Sequence, residues 1–99
     1  GDLPEMSSSE TVVRTRYLVT GRVQGVFFRK STRDKALELG LDGWVRNLPG
    51  GEVELAAAGS AAQHEALERW LWQGPERAEV DSVTREPYTG TVAPGFSIV

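Results

Sequence analysis

The sequence predicts an α+β fold in which an antiparallel sheet carries two helices on one face. The chain has 99 residues, which suits one domain with a single two-layer core. Segments of alternating apolar residues and segments of helical spacing follow in the order strand, helix, strand, strand, helix, strand. Glycine or proline stands at the breaks between them. This order is that of the ferredoxin-like split βαβ sandwich.

The first strand and the first helix flank a glycine-containing loop. Residues Thr11–Thr20 form a predicted strand whose inward face comprises every second residue, namely Val13, Thr15, Tyr17 and Val19. The helix is predicted over Phe28–Leu39 because apolar residues recur there at helical spacing. Gly40 follows its last residue and suits the left-handed position that ends many helices.

A hairpin follows the first helix. Its strands are predicted over Gly43–Leu48 and Glu52–Ala58, and residues 49–51, Pro-Gly-Gly, form the reversal between them. On the return strand, alternate valine, leucine and alanine residues face inward. Glu52 and Glu54 are therefore predicted to be exposed on the outer face, as solvated charges and not as a catalytic pair of carboxylates.

The second helix is predicted over Ser60–Gln73. Ser60 followed by Gln63 has the form of a capping box, and Gly74 with the next proline ends the helix. His64 is the single histidine of the chain. We expect it at the surface or the edge of the core, because no partner for catalysis is near it in the sequence.

The last segments are shorter and less regular. Residues Ala78–Glu86 form a predicted strand, and the odd spacing of Val80 and Val83 indicates a bulge. Residues Phe96–Ile98 are predicted to form a short closing strand. Residues 1–10 are predicted to be a disordered or vector-derived tail, and residues 11–99 a single domain.

Composition limits the possible functions. The formal net charge is −3 and there are no cysteines, so disulfides, thiolate catalysis and cysteine-ligated zinc are excluded. An acidic chain does not attract nucleic acid or an anionic membrane through its overall field. No apolar run is long enough to cross a membrane, and no secretory signal is recognisable. We expect a cytoplasmic monomer that binds neither nucleic acid nor a membrane.

The loop between the first strand and the first helix is a candidate phosphate site. Its glycines allow backbone N–H groups to turn inward as an anion nest, and the helix adds unpaired N–H groups of its own. Arg29, in the first turn of that helix, supplies a guanidinium suited to a phosphoryl group. The predicted substrate-binding residues are Gly21, Arg22, Val23, Gln24, Gly25 and Val26.

Two motifs resemble the signatures of the acylphosphatase family. The first is Gly-x-Val-Gln-Gly-Val-x-Phe-Arg over residues 21–29, and the second is Gly-Trp-Val-Arg-Asn over residues 43–47. The resemblance implies the ferredoxin-like fold, with Arg29 as the phosphate-binding arginine and Asn47 as the residue that orients water. It also implies direct attack by water on an acyl phosphate without a phosphoenzyme, metal or cofactor. Inorganic phosphate, as the product, is expected to inhibit.

Few acid–base groups are near the loop in the sequence, which agrees with an acyl phosphate as the substrate. A carboxylate leaving group is a weak base and needs no general acid, whereas a phosphate monoester would need more assistance. Two alternatives remain open. One is a non-catalytic module of the same fold that binds phosphate or carbamoyl phosphate. The other is an RNA-binding domain, which the absence of aromatic residues in Glu52–Ala58 disfavours.

Overall fold

The computed structural model describes residues 12–99, so the prediction for residues 1–10 lies outside the described residues. Within the described part, the ends of the elements match the predictions to within two residues. The elements in chain order are β1 (Val13–Arg22), α1 (Phe28–Leu39), β2 (Asp42–Asn47), β3 (Val53–Gly59), α2 (Ala61–Gln73), β4 (Glu79–Pro87) and β5 (Phe96–Ile98).

The strands form one five-stranded sheet in the order β4-β1-β3-β2-β5. Neighbouring strands are antiparallel, except that β5 runs parallel to β2 at the edge. Both helices contribute to a core that lies on one face of the sheet, where fully buried side chains include Tyr17, Leu55, Phe28 and Leu67. The predicted ferredoxin-like α+β fold is confirmed.

The predicted bulge lies between β1 and β4. Thr20 pairs with Ser82, but the next residue, Gly21, pairs with Val80. Asp81 is therefore the additional residue in β4, which explains the odd spacing seen in the sequence. Gly21 has φ 119°, and a Cβ atom there would lie 2.2 Å from the carbonyl oxygen of Glu79. Only glycine allows β4 to approach β1 this closely.

Two predicted helix boundaries are confirmed, the end of α1 and the start of α2. Gly40 has φ 81°, and its N–H group is directed to the carbonyl groups of Ala36 and Leu37. At the start of α2, the Ser60 N–H donates to Gln63 Oε1 at 2.7 Å, and the Gln63 N–H donates to Ser60 Oγ at 3.2 Å. These local hydrogen bonds satisfy donors and acceptors that the helices leave free.

His64 is buried in the core, contrary to the expectation of a surface or core-edge position. Its ring nitrogens lie 2.7 Å from the Tyr17 hydroxyl and 2.7 Å from the Val13 carbonyl oxygen. Because a carbonyl only accepts, Nε2 carries the proton and Nδ1 accepts from Tyr17. Burial lowers the pKa of His64 and raises the pKa of Tyr17 to about 12. The histidine is thus a neutral structural group.

Glu54 is also buried, although it was predicted to be exposed. It lies on the sheet face without helices and is 6% exposed. Arg16 donates to one of its oxygens, and Arg46 Nε donates to the other at 2.6 Å. Burial pushes the pKa of Glu54 upwards, but the hydrogen bonds from the two arginines outweigh it, so the pKa lies below its ordinary value.

Candidate active site

The loop after β1 leads into the first turn of α1, where several backbone N–H groups lack a partner within the helix. Phe27 precedes the helix with φ 63° and ψ 23°, and no side chain caps the helix. The N–H of Ser31 donates to the Phe27 carbonyl at 3.0 Å, so the three preceding helical N–H groups have no partner within the helix. The first turn contains no acidic residue. The positive end of the helix therefore faces the loop with no acidic side chain in its own first turn.

Arg29 and Asn47 line the same cavity, although 18 residues separate them in the sequence. The cavity has a volume of about 320 Å³. Its walls come from the loop, the first turn of α1, the end of β2 and the closing strand β5. The lining residues are Val23, Gly25, Phe27, Phe28, Arg29, Lys30, Asn47 and Ile98.

The side chain of Asn47 has an oxygen that the protein leaves unpaired. Asn47 is the last residue of β2 and pairs with Val53 of β3. Its Oδ1 atom is buried and has no hydrogen-bond partner among the described residues. No hydrogen bond within residues 12–99 therefore commits this oxygen to a structural role. The pattern of a motif cannot reveal this free oxygen.

The guanidinium of Arg29 is exposed at the cavity and forms no ion pair within residues 12–99. Other cations nearby are engaged. Lys30 lies 3.4 Å from Asp34, and Arg46 contacts Glu54. Arg29 is therefore the arginine at this cavity whose charge is available to an anion.

The six predicted substrate-binding residues are divided between two places. Val23 and Gly25 line the cavity that contains Arg29. Gly21 and Arg22 belong to β1, where they pair with Val80 and Glu79. A second cavity, of about 590 Å³, lies on another side of the loop, and Gly25 lines both cavities. The residues that line the second cavity are Arg22, Gln24, Gly25, Val26, Glu76, Arg77, Ala78 and Glu79.

Gln24 binds the protein itself through its side chain. Its Nε2 atom donates to the carbonyl oxygens of Leu48 and Glu52, each at 2.8 Å. Leu48 directly follows Asn47, and Glu52 begins the return to β3. The side chain therefore ties the loop after β1 to the hairpin that carries Asn47, and both of its N–H groups are used.

Four residues line the cavity but were not predicted as site residues, namely Phe27, Phe28, Lys30 and Ile98. Phe27 is the only residue other than glycine with positive φ among residues 12–99, a conformation that costs about 1–3 kcal/mol. Ile98 reaches the site because β5 runs beside β2, with Val45 paired to Ile98. No local sequence signal specifies that parallel pairing.

Comparison with known proteins gives this arrangement a family. The family model described as acylphosphatase matches residues 15–98. A protein of Marinobacter nauticus named acylphosphatase is 53% identical over 81 residues, which cover 82% of this chain and 88% of the relative. The chain belongs to the acylphosphatase family.

Solved acylphosphatase structures agree with this assignment. The acylphosphatase of Coxiella burnetii superposes with a TM-score of 0.84 at 43% identity, covering 89% of this chain and 93% of that one. The acylphosphatase of Bacillus subtilis gives a TM-score of 0.82 at 30% identity, with 90% and 99% covered. The resemblance seen in the two motifs is therefore confirmed, and so is the predicted class of enzyme, an acylphosphatase.

Two further observations concern the described residues as a whole. Within residues 12–99, no helix is both long and apolar enough to cross a membrane. The same part of the chain contains no group of three or more histidine, aspartate or glutamate side chains placed to hold a metal ion.

Proposed function

We propose that the protein hydrolyses acyl phosphates to a carboxylate and inorganic phosphate by direct attack of a water molecule that Asn47 orients. The observation that carries the proposal is that Asn47 and Arg29 line the same cavity, at the start of α1. The carboxamide of Asn47 can both donate to and accept from a water, and a water bound to it would be held beside a phosphoryl group bound at Arg29. Holding the nucleophile in position is the main task in phosphoryl transfer.

The phosphoryl group is assigned to the loop and the first turn of α1. Backbone N–H groups around Val23 and Gly25, together with Arg29, would donate hydrogen bonds to its oxygens. Hydrogen bonds that involve a charged partner are worth about 1.5–3 kcal/mol each. Because these donors are already in place before the substrate binds, they stabilise the charge that develops during the reaction.

The remaining assignments follow from the same site. The carboxylate leaves without a general acid, and the only histidine is committed to the core. Inorganic phosphate would occupy the phosphoryl site and inhibit competitively. We assign the protein to the cytoplasm as a monomer, with a small acyl phosphate as its ligand and with no metal, cofactor, nucleic acid or membrane partner.

Hydrolysis of benzoyl phosphate tests the proposal. Replacing Asn47 by alanine should lower kcat by about 100-fold or more, the size typical of one preorganised contact, and leave the inhibition constant of phosphate nearly unchanged. Arg29→Gln should weaken phosphate inhibition and kcat together. Arg33→Gln is the matched control, because it removes the same charge one helical turn away, where Arg33 pairs with Asp34.

The outcomes separate the two candidate roles. Phosphate binding without any turnover would favour the non-catalytic phosphate or carbamoyl phosphate module. Full activity in Asn47→Ala would show that its carboxamide does not orient the attacking water. Equal losses in Arg29→Gln and Arg33→Gln would show that only the overall positive charge of the helix matters.

A further inference from the structure

Part of the cavity wall beside Arg29 is apolar and open to solvent. Phe27 and Ile98 line it, and they are 74% and 37% exposed. Phe27 is the most exposed large hydrophobic side chain among residues 12–99. The neighbouring Phe28, by contrast, is buried in the core. The ring of Phe27 therefore contributes little to folding and remains accessible from the cavity.

The backbone conformation at Phe27 is one that phenylalanine rarely adopts. With φ 63° and ψ 23°, the residue is in the left-handed region, which glycine and asparagine adopt far more readily than phenylalanine. An exposed ring in a strained position gains nothing from the fold that would offset the strain. Contact with a bound molecule would account for both features.

We propose that Phe27 and Ile98 hold the acyl group of the substrate, so that the site selects acyl phosphates with aromatic or aliphatic acyl groups. This inference rests on the proposed function, since it takes the phosphoryl group to lie at Arg29. The cavity of about 320 Å³ is roughly ten times the ~30 Å³ that one water occupies in the liquid. It therefore has room for an acyl group beside the phosphoryl group.

Lys30 also lines the cavity and favours a different kind of acyl group from Phe27. Its ammonium group would favour an acyl group that carries its own negative charge. However, Lys30 lies 3.4 Å from Asp34 on the same helix, so its charge is partly balanced without a substrate. Within residues 12–99, the ring of Phe27 is 74% exposed and takes part in no aromatic pair or cation–π contact. The apolar acyl group is the better match, and an anionic one is the alternative that the experiment must separate.

The test compares kcat/KM for benzoyl, acetyl and succinyl phosphate across variants. Differences in intrinsic reactivity cancel when the ratio of two substrates is compared between two proteins. Phe27→Ala should lower the benzoyl-to-acetyl ratio by about threefold to tenfold, the range expected for one ring–ring contact. Leu37→Ala removes another exposed side chain of α1, 51% exposed and away from the cavity, and should leave the ratio unchanged.

Phe27→Gly distinguishes selection of substrate from a structural role. It removes both the ring and the left-handed strain, so the Tm should not fall while the benzoyl-to-acetyl ratio falls as in Phe27→Ala. A ratio that stays constant in both variants would overturn the inference. So would a change confined to succinyl phosphate in Lys30→Gln, since it would assign the acyl group to the cation.

The two levels of proposal fail in different ways. If the wild type hydrolyses acetyl phosphate and Arg29→Gln abolishes this, the proposed function stands whatever the Phe27 variants show. A constant ratio would then refute only the acyl-group assignment. If the wild type hydrolyses none of the three substrates, the proposed function is wrong, and the acyl-group assignment is wrong with it.

Discussion

Replacing Gln24 by methionine should lower both kcat and the unfolding free energy. The Gln24 side chain connects the loop after β1 to the hairpin that carries Asn47. Methionine has a similar length but no N–H group, so the bonds to Leu48 and Glu52 are lost. Both carbonyl groups keep a second donor, since the Gly51 N–H reaches Leu48 and the Leu48 N–H reaches Glu52. Two hydrogen bonds at about 0.5–1.5 kcal/mol each predict a loss of about 1–3 kcal/mol in unfolding free energy.

We also expect kcat to fall, and by more than a loss of about 1–3 kcal/mol in unfolding free energy would cause by itself. Without the bond, the loop can shift relative to the hairpin that carries Asn47, and a displacement of about 1 Å in a site can lower the rate about 100-fold. We therefore expect kcat for benzoyl phosphate to fall by about tenfold to 100-fold, with a smaller change in phosphate inhibition. Gln24→Glu should be worse than Gln24→Met, because a carboxylate would face two carbonyl oxygens.

Gln63→Met is the matched control for this prediction. Gln63 also makes two hydrogen bonds, from the Ser60 N–H and to the Leu39 carbonyl, each at 2.7 Å, but it does not line the cavity. Urea unfolding should show similar losses of stability in both variants, whereas kcat should change only in Gln24→Met. If the two variants lose equal stability and both keep wild-type kcat, the side chain of Gln24 does not set the geometry of the site.

Three further predictions concern the scaffold. Because burial lowers the pKa of His64, its imidazole becomes protonated at a higher pH in the unfolded chain than in the folded chain. The unfolding free energy should therefore fall as the pH drops below about 6.5, and His64→Gln should flatten that slope in urea titrations. Glu54→Gln should lower the unfolding free energy by about 1–3 kcal/mol, less than for a fully buried pair, because Arg16 and Arg46 are partly exposed; an unchanged urea midpoint would argue against this. Gly21→Ala should cost about 3 kcal/mol or more, because its Cβ would meet a β4 carbonyl at 2.2 Å; a thermal melt matching the wild type would show that β4 can move aside.

The features predicted from sequence are those that depend on local chemistry. The bounds of α1 and the glycine after it follow from helical spacing and from conformational freedom within a few residues. The bulge beside Gly21 follows from the spacing of two valines. The residues that end the helix are neighbours in the chain, and the spacing of the valines lies within β4 itself, so the local pattern is sufficient to predict both features.

The features that were wrong or missed depend on residues that are far apart. Glu54 is buried because Arg16, 38 residues earlier, meets it across paired strands. His64 is buried because Tyr17 lies 47 residues away in sequence but 2.7 Å away in space. A period of two or 3.6 residues assigns a side chain to a face, but it does not reveal which partner compensates its burial.

The candidate site also combines features that local motifs predict with contacts between residues far apart in the sequence. Two motifs identified Arg29 and Asn47, and the fold brings both to one cavity. The backbone N–H of Gln24 stays a predicted phosphate donor, and its side-chain amide is directed to two carbonyl groups of the hairpin. A residue within a signature can therefore serve the geometry of the site as readily as its chemistry.

The arginines that flank Glu54 also affect how the molecule meets its own copies. Sheets associate face to face when both surfaces can be dehydrated at little cost. Here the helix-free surface carries a row of charge at its centre, and Arg46 also lies over Trp44, 5.3 Å from the ring centroid. A stacked second molecule would have to strip water from both guanidinium groups, so this row opposes sheet-on-sheet self-association at high protein concentration.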